Sequence, residues 1–332
     1  MNSWGFASGR MRSLENYFLP YTTLVRWSES ATPEIFQKYV KDSVYGDIFN
    51  ESNLFKYETV LEDHLQGIYN EILKIVPDPR IVRVHRLSSD LNNIKIIYKA
   101  KASGHEVNWE ILSETGTYSP EDLFPIIEEK VYSKLHPSLD KALRLMDEEF
   151  KRTGNIQLTE FILDKAFSDL RFDLLNGAEY RNISGFYRTH VDLENIKNIL
   201  RAKRLDIDRA FVPYVLLDGG RIDRMYLESV YSGQLSDLAE ELIRGRYGEM
   251  LSEGIRTVLE KRLYSIFEKT IDEHLMTIVG RFRYAATGPE VVEGYIQRKL
   301  MEMKNLKIVF IGVLNGMNPE ETKGRIRNAG LS

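Results

Sequence analysis

Six histidines, His64, His85, His105, His136, His190 and His274, are the side chains of this sequence best suited to acid–base or metal chemistry near neutral pH. A protease-type zinc helix needs two of them four residues apart with a Glu beside the first. His105-Glu106 has no second His at that spacing, and the six are scattered. The acidic pairs Glu62-Asp63 and Glu148-Glu149 have no ligand-like spacing and read as solvated helix faces. No Gly-x-x-x-x-Gly-Lys-[Ser/Thr] loop occurs, and Asp218-Gly219-Gly220-Arg221 reads as a turn, not a dinucleotide fingerprint. With histidine signals this sparse, no Ser–His–Asp set can be assembled. The sequence therefore nominates no catalytic, cofactor-binding or metal-ligating residue.

Basic residues carry a clearer pattern. Lys95, Lys99 and Lys101 return as Lys197, Arg201 and Lys203. One reading is a solvated helix face. The other is a docking surface for an acidic partner, presented twice by internal symmetry. A third occurrence keeps Lys307 but has Ile311 and Val313 at the other two positions, so the stripe is not threefold.

These residues belong to a segment written more than once. Asp90-Leu91-Asn92-Asn93-Ile94-Lys95-Ile96-Ile97-Tyr98-Lys99-Ala100-Lys101 returns as Asp192-Leu193-Glu194-Asn195-Ile196-Lys197-Asn198-Ile199-Leu200-Arg201-Ala202-Lys203. A weaker copy is Asn305-Leu306-Lys307-Ile308-Val309-Phe310-Ile311-Gly312. The Asn-[Ile/Leu]-Lys cores at Asn93, Asn195 and Asn305 lie 102 and 110 residues apart, the length of a small domain rather than of a solenoid repeat. Seven residues after each Asn stands a small residue, Ala100, Ala202 or Gly312, which suggests a close helix crossing. Each Asn is expected to satisfy backbone groups beside it.

Flanking matches extend the register. Leu61 precedes Asn93 by 32 residues and Leu163 precedes Asn195 by 32, whereas Leu259 precedes Asn305 by 46, which implies an insertion in the third copy. Downstream, Leu112-Ser113-Glu114-Thr115-Gly116 aligns with Leu216-Leu217-Asp218-Gly219-Gly220, and Leu123 with Leu227. Tyr45-Gly46-Asp47 aligns more loosely with Tyr247-Gly248-Glu249.

At 332 residues, two or three domains are expected. A hydrophobic content of 43% with 28% charged residues is that of an ordinary soluble chain. A net charge of −4 argues against a dedicated nucleic-acid binder, and the absence of cysteine excludes disulfides and thiolate metal sites. The longest strongly apolar run, Ile308 to Leu314, is far short of the ~20 residues that span a bilayer. No signal peptide is visible, so the sequons at Asn50 and Asn182 carry little weight.

Nearly every segment reads helical. Helix starts are signalled at Thr32-Pro33-Glu34, Ser119-Pro120-Glu121 and Pro319-Glu320. Residues 57–76 carry helical periodicity that Pro77-Asp78-Pro79 ends, and further helices are expected at about 158–174 and 191–204. Ser88, Ser89 or Asp90 is expected to cap the repeated helix. Residues 251–278 form one amphipathic helix or two. Ile308 to Leu314 has strand propensity, but the repeat register makes it a helix buried on nearly all sides.

Three divergent helical repeats, an Asn-[Ile/Leu]-Lys helix in each, an aromatic–small–Arg segment from Trp4 to Arg12, and the closing Lys304-Asn305-Leu306-Lys307-Ile308, Gly312 and Leu314-Asn315-Gly316-Met317-Asn318-Pro319-Glu320-Glu321 resemble the C subunit of the V/A-type rotary ATPases/ATP synthases. The eukaryotic counterpart is the d subunit of V-ATPases. The resemblance spans essentially the whole chain, the third-repeat spacing of 46 being its one departure. It implies an all-α fold of three pseudo-threefold-related repeats, 1–119, 120–222 and 223–332, forming a funnel. It implies a non-catalytic rotor subunit without cofactor or small-molecule substrate. Such a subunit seats the central-stalk subunits D and F, rests on the proteolipid rotor ring at the cytoplasmic face, and transmits torque between ATP turnover and proton or sodium movement. On that reading the candidate contact residues are Arg10, Arg12, Lys95, Lys99, Lys197 and Arg201. Two rivals remain: a helical-repeat adaptor of another complex, which predicts an open superhelix, and an enzyme with an unrecognised site, which predicts a deep pocket with shifted pKa values.

Overall fold

The structure is a computed structural model that describes residues 3–50, 52–204, 207–232, 237, 240, 244, 246–261 and 263–328. Among the described residues every regular element is a helix and no strand occurs, as the patterning predicts. The first helices are α1 (Trp4–Leu14), α2 (Tyr21–Ser28), α3 (Pro33–Lys41) and α4 (Tyr57–Ile75). Next come α5 (Arg80–Ala102), α6 (Pro120–Glu128), α7 (Pro137–Thr153), α8 (Ile156–Leu174), α9 (Arg181–Arg204), α10 (Val212–Val215) and α11 (Arg224–Ser232). The C-terminal helices are α12 (Gly248–Lys261), α13 (Tyr264–Val279), α14 (Pro289–Leu314) and α15 (Pro319–Arg325). Of the aligned repeat positions, the side chains of Gly248, Glu249 and Leu259 lie outside the described residues.

Local chemistry sets the helix ends. The Thr32 hydroxyl accepts from Ile35 N and Pro33 fills the first helical position, as Ser119 and Pro120 do for α6. Gly154, at φ 64°, closes α7 in the left-handed conformation that a side chain disfavours.

The chain divides into two compact units, residues 79–238 and residues 1–78 with 239–332. In the first, α5 packs against α6 and α8, and α7 against α8. Their contact faces supply Leu87, Ile94 and Ile97 from α5, Leu123 and Ile127 from α6, Leu143 and Met146 from α7, and Leu163 and Phe167 from α8. Each such side chain contributes about 1.5–3 kcal/mol when taken from water. In the second unit, α14 packs against α1, α2, α3, α4 and α15. Phe310 sits at its centre, with the Phe36, Phe49 and Tyr57 rings at 4.8, 4.9 and 5.0 Å. Edge-on, tilted and stacked rings at such distances add attraction beyond the buried area.

Three expectations are corrected. Ser88, Ser89 and Asp90 do not cap a helix start, because α5 begins at Arg80 and runs through them. Residues 251–278 fall in two helices, α12 and α13, one of the two alternatives expected, but the helix directly before α14 is α13, not α12, which corrects the implied insertion. The 46-residue spacing therefore matched Leu259 to the wrong helix, and by helix order no inserted helix separates the third copy's pair. Two successive amphipathic helices with similar tripeptides cannot be told apart by a short match. Finally, Ile308 to Leu314 is helical as the register requires, but burial is incomplete, with Ile311 37% exposed.

Candidate functional site

The repeated asparagines do the same thing three times. Asn93 Nδ2 donates to Ser113 O at 2.7 Å and its Oδ1 accepts from Ser113 N at 2.9 Å. Asn195 grips Leu217 in the same way, at 2.9 and 2.7 Å. Asn305 grips Arg327, at 2.9 Å for both bonds. A primary amide offers one donor and one acceptor side by side, so it can satisfy both backbone groups of a single residue. The three Asn side chains are buried, where an unpaired peptide group costs about 1–3 kcal/mol. The expectation that each Asn satisfies backbone groups holds at all three positions.

The small residue seven positions later has a common role as well. The carbonyls of Ala100, Ala202 and Gly312 accept from the N–H groups of His105, Ile207 and Met317, at 2.9, 3.1 and 2.8 Å. Each lies in the last turn of its helix and takes an N–H five residues further on. A close crossing is present at Gly312, where an added Cβ would lie 2.4 Å from the Thr322 side chain. Ala100 is only half-buried, so crowding does not explain it.

An acid three residues before each Asn completes the arrangement. Asp90 Oδ1 accepts from Thr117 N and Tyr118 N at 2.8 and 3.1 Å. Asp192 Oδ1 accepts from Arg221 N and Ile222 N at 2.7 and 2.9 Å. Gly116 and Gly220 make room, since a Cβ at either would lie within 2.4 Å of that carboxylate oxygen. In the third copy the acid is Glu302, and its Oε1 accepts from Leu19 N at 2.6 Å, a residue 283 positions away. Tyr118, Ile222 and Leu19 each stand two residues before a short helix, α6, α11 and α2. Five residues beyond each of them comes a fully buried leucine, Leu123, Leu227 or Leu24. The N-terminal segment thus supplies to α14 the element that α5 and α9 receive from their own downstream loops.

Asp90 makes one clasp sensitive to pH. Burial pushes its carboxyl up to about 6, against the pull of Tyr118 N, Thr117 and the Arg86 charge. Its Oδ2 is buried without a hydrogen-bond partner. The folded chain then holds a proton there more tightly than the unfolded chain, so this group's contribution to stability falls as pH rises from about 4 to about 6. Two pKa units correspond to roughly 3 kcal/mol. Asp90→Asn keeps the Oδ1 acceptor and is expected to raise the melting temperature at pH 7.5 while flattening its fall between pH 4 and 6. An equally steep fall in the variant would remove Asp90 as its source.

A cavity of about 660 Å³ opens in the unit of residues 1–78 and 239–332. Met11, Leu14, Ile68 and Ile72 form apolar walls, and the exposed Arg10 also lines it. At its floor Lys299 Nζ meets Glu302 Oε2 at 2.5 Å, and Tyr45 Oη donates to the same oxygen at 2.9 Å. The ammonium also lies 4.7 Å from the centre of the Phe18 ring. Burial, and then the Glu302 charge, raises the Tyr45 pKa well above its usual value. Burial and the Lys299 charge depress that of His64, whose ring stands edge-on to Tyr45 at 5.6 Å. Among the described residues no group of three His, Asp or Glu side chains could hold a metal ion.

Of the basic residues nominated from sequence, Arg12, Lys95, Lys99 and Lys197 are met by acids of the same chain. Lys95 pairs with Asp164 at 2.5 Å, Lys99 with Glu160 at 3.7 Å and Lys197 with Glu194 at 2.6 Å. Burial raises the Asp164 carboxyl, Lys95 pulls it back, and Glu160 and Glu194 push it up again. Burial also acts on Glu194, yet Lys197, His190 and Arg201 together bring its pKa below the usual range. Lys95, Lys99, Lys197 and Arg201 therefore belong to one charge network rather than to separate free stripes. Lys99 and Arg201 remain exposed. In the other unit Arg12 bridges Glu15 at 3.3 Å and donates to Arg283 O and Ala285 O at 2.6 and 3.2 Å. Glu302, Glu15 and Arg298 were not nominated. Only the three-residue offset of Glu302 from Asn305, matching Asp90 and Asp192, could have pointed to one of them.

A sequence profile of the ATP synthase (C/AC39) subunit family matches residues 7–325. The chain is 26% identical to the C subunit of the A-type ATP synthase of Methanocaldococcus jannaschii, over 96% of this chain and 85% of that protein. It is 24% identical to the C subunit of the V-type sodium ATPase of Enterococcus hirae, over 88% and 86% of the two chains. Against the C subunit of the A-type ATP synthase of Methanobrevibacter smithii the identity is 27%, over 82% and 74%.

Proposed function

The chain belongs to the ATP synthase (C/AC39) subunit family, and from that premise we propose that it is the non-catalytic central-rotor subunit of a V/A-type rotary ATPase/ATP synthase. It links the central stalk, subunits D and F, to the membrane rotor ring. It transmits the torque that couples ATP hydrolysis or synthesis to proton or sodium transport. The observation that carries this reading is the family match over residues 7–325, with relatives named as the C subunits of A-type ATP synthases and of a V-type sodium ATPase.

The geometry supports the role. A torque-bearing part must not yield: α5 and α9 are each locked to their own loop by an amide clasp and a carboxylate clasp, and α14 is held by an amide clasp on Arg327 and a carboxylate clasp on Leu19. Among the described residues no helix is long and apolar enough to cross a membrane. In the proposed role, attachment runs through the ring at its cytoplasmic face. We place the three repeats, 1–119, 120–222 and 223–332, about a pseudo-threefold axis as a funnel, with residues 19–28 completing the third. Exposed Arg10, Lys99 and Arg201 are the nominated residues best able to meet a partner, whereas Arg12, Lys95 and Lys197 are half-buried.

The test is capture of a purified D–F pair by the full chain at low and moderate salt. One-to-one capture is expected. Charge reversal at Lys99 and Arg201 should lower it mainly at low salt. No capture at either salt removes the socket role.

A further inference from the structure

Beside α1 lies a cleft in which cations outnumber anions. It is lined by Arg12, Glu15, Phe282, Arg283, Gly294 and Arg298 among others, all within the unit of residues 1–78 and 239–332. Glu15 is shared, 3.3 Å from Arg12 and 3.1 Å from Arg298. Arg12 and Arg298 thus share one carboxylate, and Arg283 lines the same cleft with its guanidinium on Tyr284.

The imbalance is built in. The Arg298 side chain is only 22% exposed, with its guanidinium stacked 4.6 Å from the Phe18 ring centre. Burial depresses its pKa, and the charges of Arg12 and Arg283 add to that, while Glu15 and Glu302 oppose it. Buried charges are normally balanced by pairing. Arg12 spends one nitrogen on the carbonyls of Arg283 and Ala285, which fixes the 280–285 turn. That turn carries Tyr284, 76% exposed, with the Arg283 guanidinium 5.0 Å from its ring centre. Arg and Tyr are the residue types that anchor interfaces. The cleft holds about 60 Å³. That suffices for a carboxylate and is far below the ~300 Å³ of a small-molecule pocket.

We propose that this cleft is a docking site for an acidic segment of a partner polypeptide, whose Asp or Glu carboxylate enters between Arg12, Arg283 and Arg298 while a neighbouring apolar residue covers Tyr284. It deepens the docking role above and rests on the chain being a subunit that seats other subunits. Guanidinium forks match carboxylates in two-point geometry, which gives direction as well as attraction.

The probe is a fluorescein-labelled peptide of four Glu around one Leu, read by anisotropy against the full chain, beside the same peptide with Gln for Glu. The Glu peptide is expected to bind and the Gln peptide not. Arg283→Glu should weaken binding at least tenfold and Tyr284→Ala about fivefold, whereas Lys134→Glu, an exposed lysine of the other unit with the same change in charge, should change it less than twofold. Arg283 and Tyr284 side chains are exposed, and unchanged melting curves would confirm that both variants fold. Equal loss with Lys134→Glu and Arg283→Glu would overturn the proposal, because net charge alone would then explain it. So would binding to anionic-lipid vesicles without binding to the peptide, or displacement of the peptide by millimolar inorganic phosphate. Arg283-dependent peptide binding without D–F capture would keep the cleft and remove the rotor reading. D–F capture without peptide binding would do the reverse.

Discussion

Glu302→Ala is expected to lower stability by about 3–5 kcal/mol, the cost typical of removing one member of a buried ion pair. Three groups lose their acceptor at once: the Lys299 ammonium, the Tyr45 hydroxyl and the Leu19 N–H. Glu302 is fully buried and Lys299 6% exposed, so only the cavity beside them offers the freed groups a replacement partner. Charge and hydrogen bonding can be separated. Glu302→Gln keeps an oxygen for Leu19 N but leaves the ammonium uncompensated, and should recover only part of the loss. Tyr45→Phe removes one bond and should cost about 1 kcal/mol. Lys299→Met combined with Glu302→Gln should be milder than Glu302→Ala, because no buried charge is stranded. Urea denaturation gives these numbers from the midpoint at constant slope. If Glu302→Ala and Tyr45→Phe lose the same amount, Leu19 and Lys299 are not held as described. The loss should also free the N-terminal segment, so protease cleavage near Leu19 should accelerate in Glu302→Ala more than elsewhere.

The second large effect is expected at the asparagine clasps. Asn93→Ala strands both the N–H and the C=O of Ser113 in a buried site, and about 2–4 kcal/mol should be lost. Asn195→Ala and Asn305→Ala should cost similar amounts, since they release Leu217 and Arg327 from bonds of similar length. Asn→Asp is the sharper comparison. It preserves shape and the acceptor but turns the donor into a second anionic oxygen facing a carbonyl, so it should be no milder than alanine at pH 7. At Asn305 the release is partly resisted, because the Arg327 side chain is also held by Asp272 at 2.8 Å. The double variant Asn305→Ala with Asp272→Ala should therefore lose more than the sum of the singles. Additive losses, or an Asn→Asp change that is silent at any of the three sites, would show that the amide does not grip both backbone groups.

Much of this was legible in the sequence. The three Asn positions, the all-helical class, the helix starts at Thr32-Pro33, Ser119-Pro120 and Pro319 and the helix at Ile308–Leu314 follow from residue types and register. The match of Leu112–Gly116 to Leu216–Gly220 proved to be one loop used twice, clasped at Ser113 and Leu217 and crowded at Gly116 and Gly220. Charge partners were not legible. Lys95 and Asp164 lie 69 residues apart, and no periodicity connects them. The basic stripe was visible as a pattern, but the acids that neutralise Lys95 and Lys99 come from another helix.

Asp90 and Glu302 show where the boundary falls. A short acid accepts readily from backbone N–H groups, and that preference is a property of the residue, but the sequence led to the wrong groups, a cap of Asp90's own helix. Which N–H groups it takes depends on which loop the fold carries past it. Within α5 its own neighbours are already bonded in the helix, and Thr117 and Tyr118 arrive instead. Beside α14 the matching N–H comes from the opposite end of the chain, and the longer side chain of Glu302 reaches Leu19. Composition, period and spacing are local quantities and could be read directly. The pairing of residue 302 with residue 19 is made by packing across the whole length of the chain, and only the tertiary structure decides it.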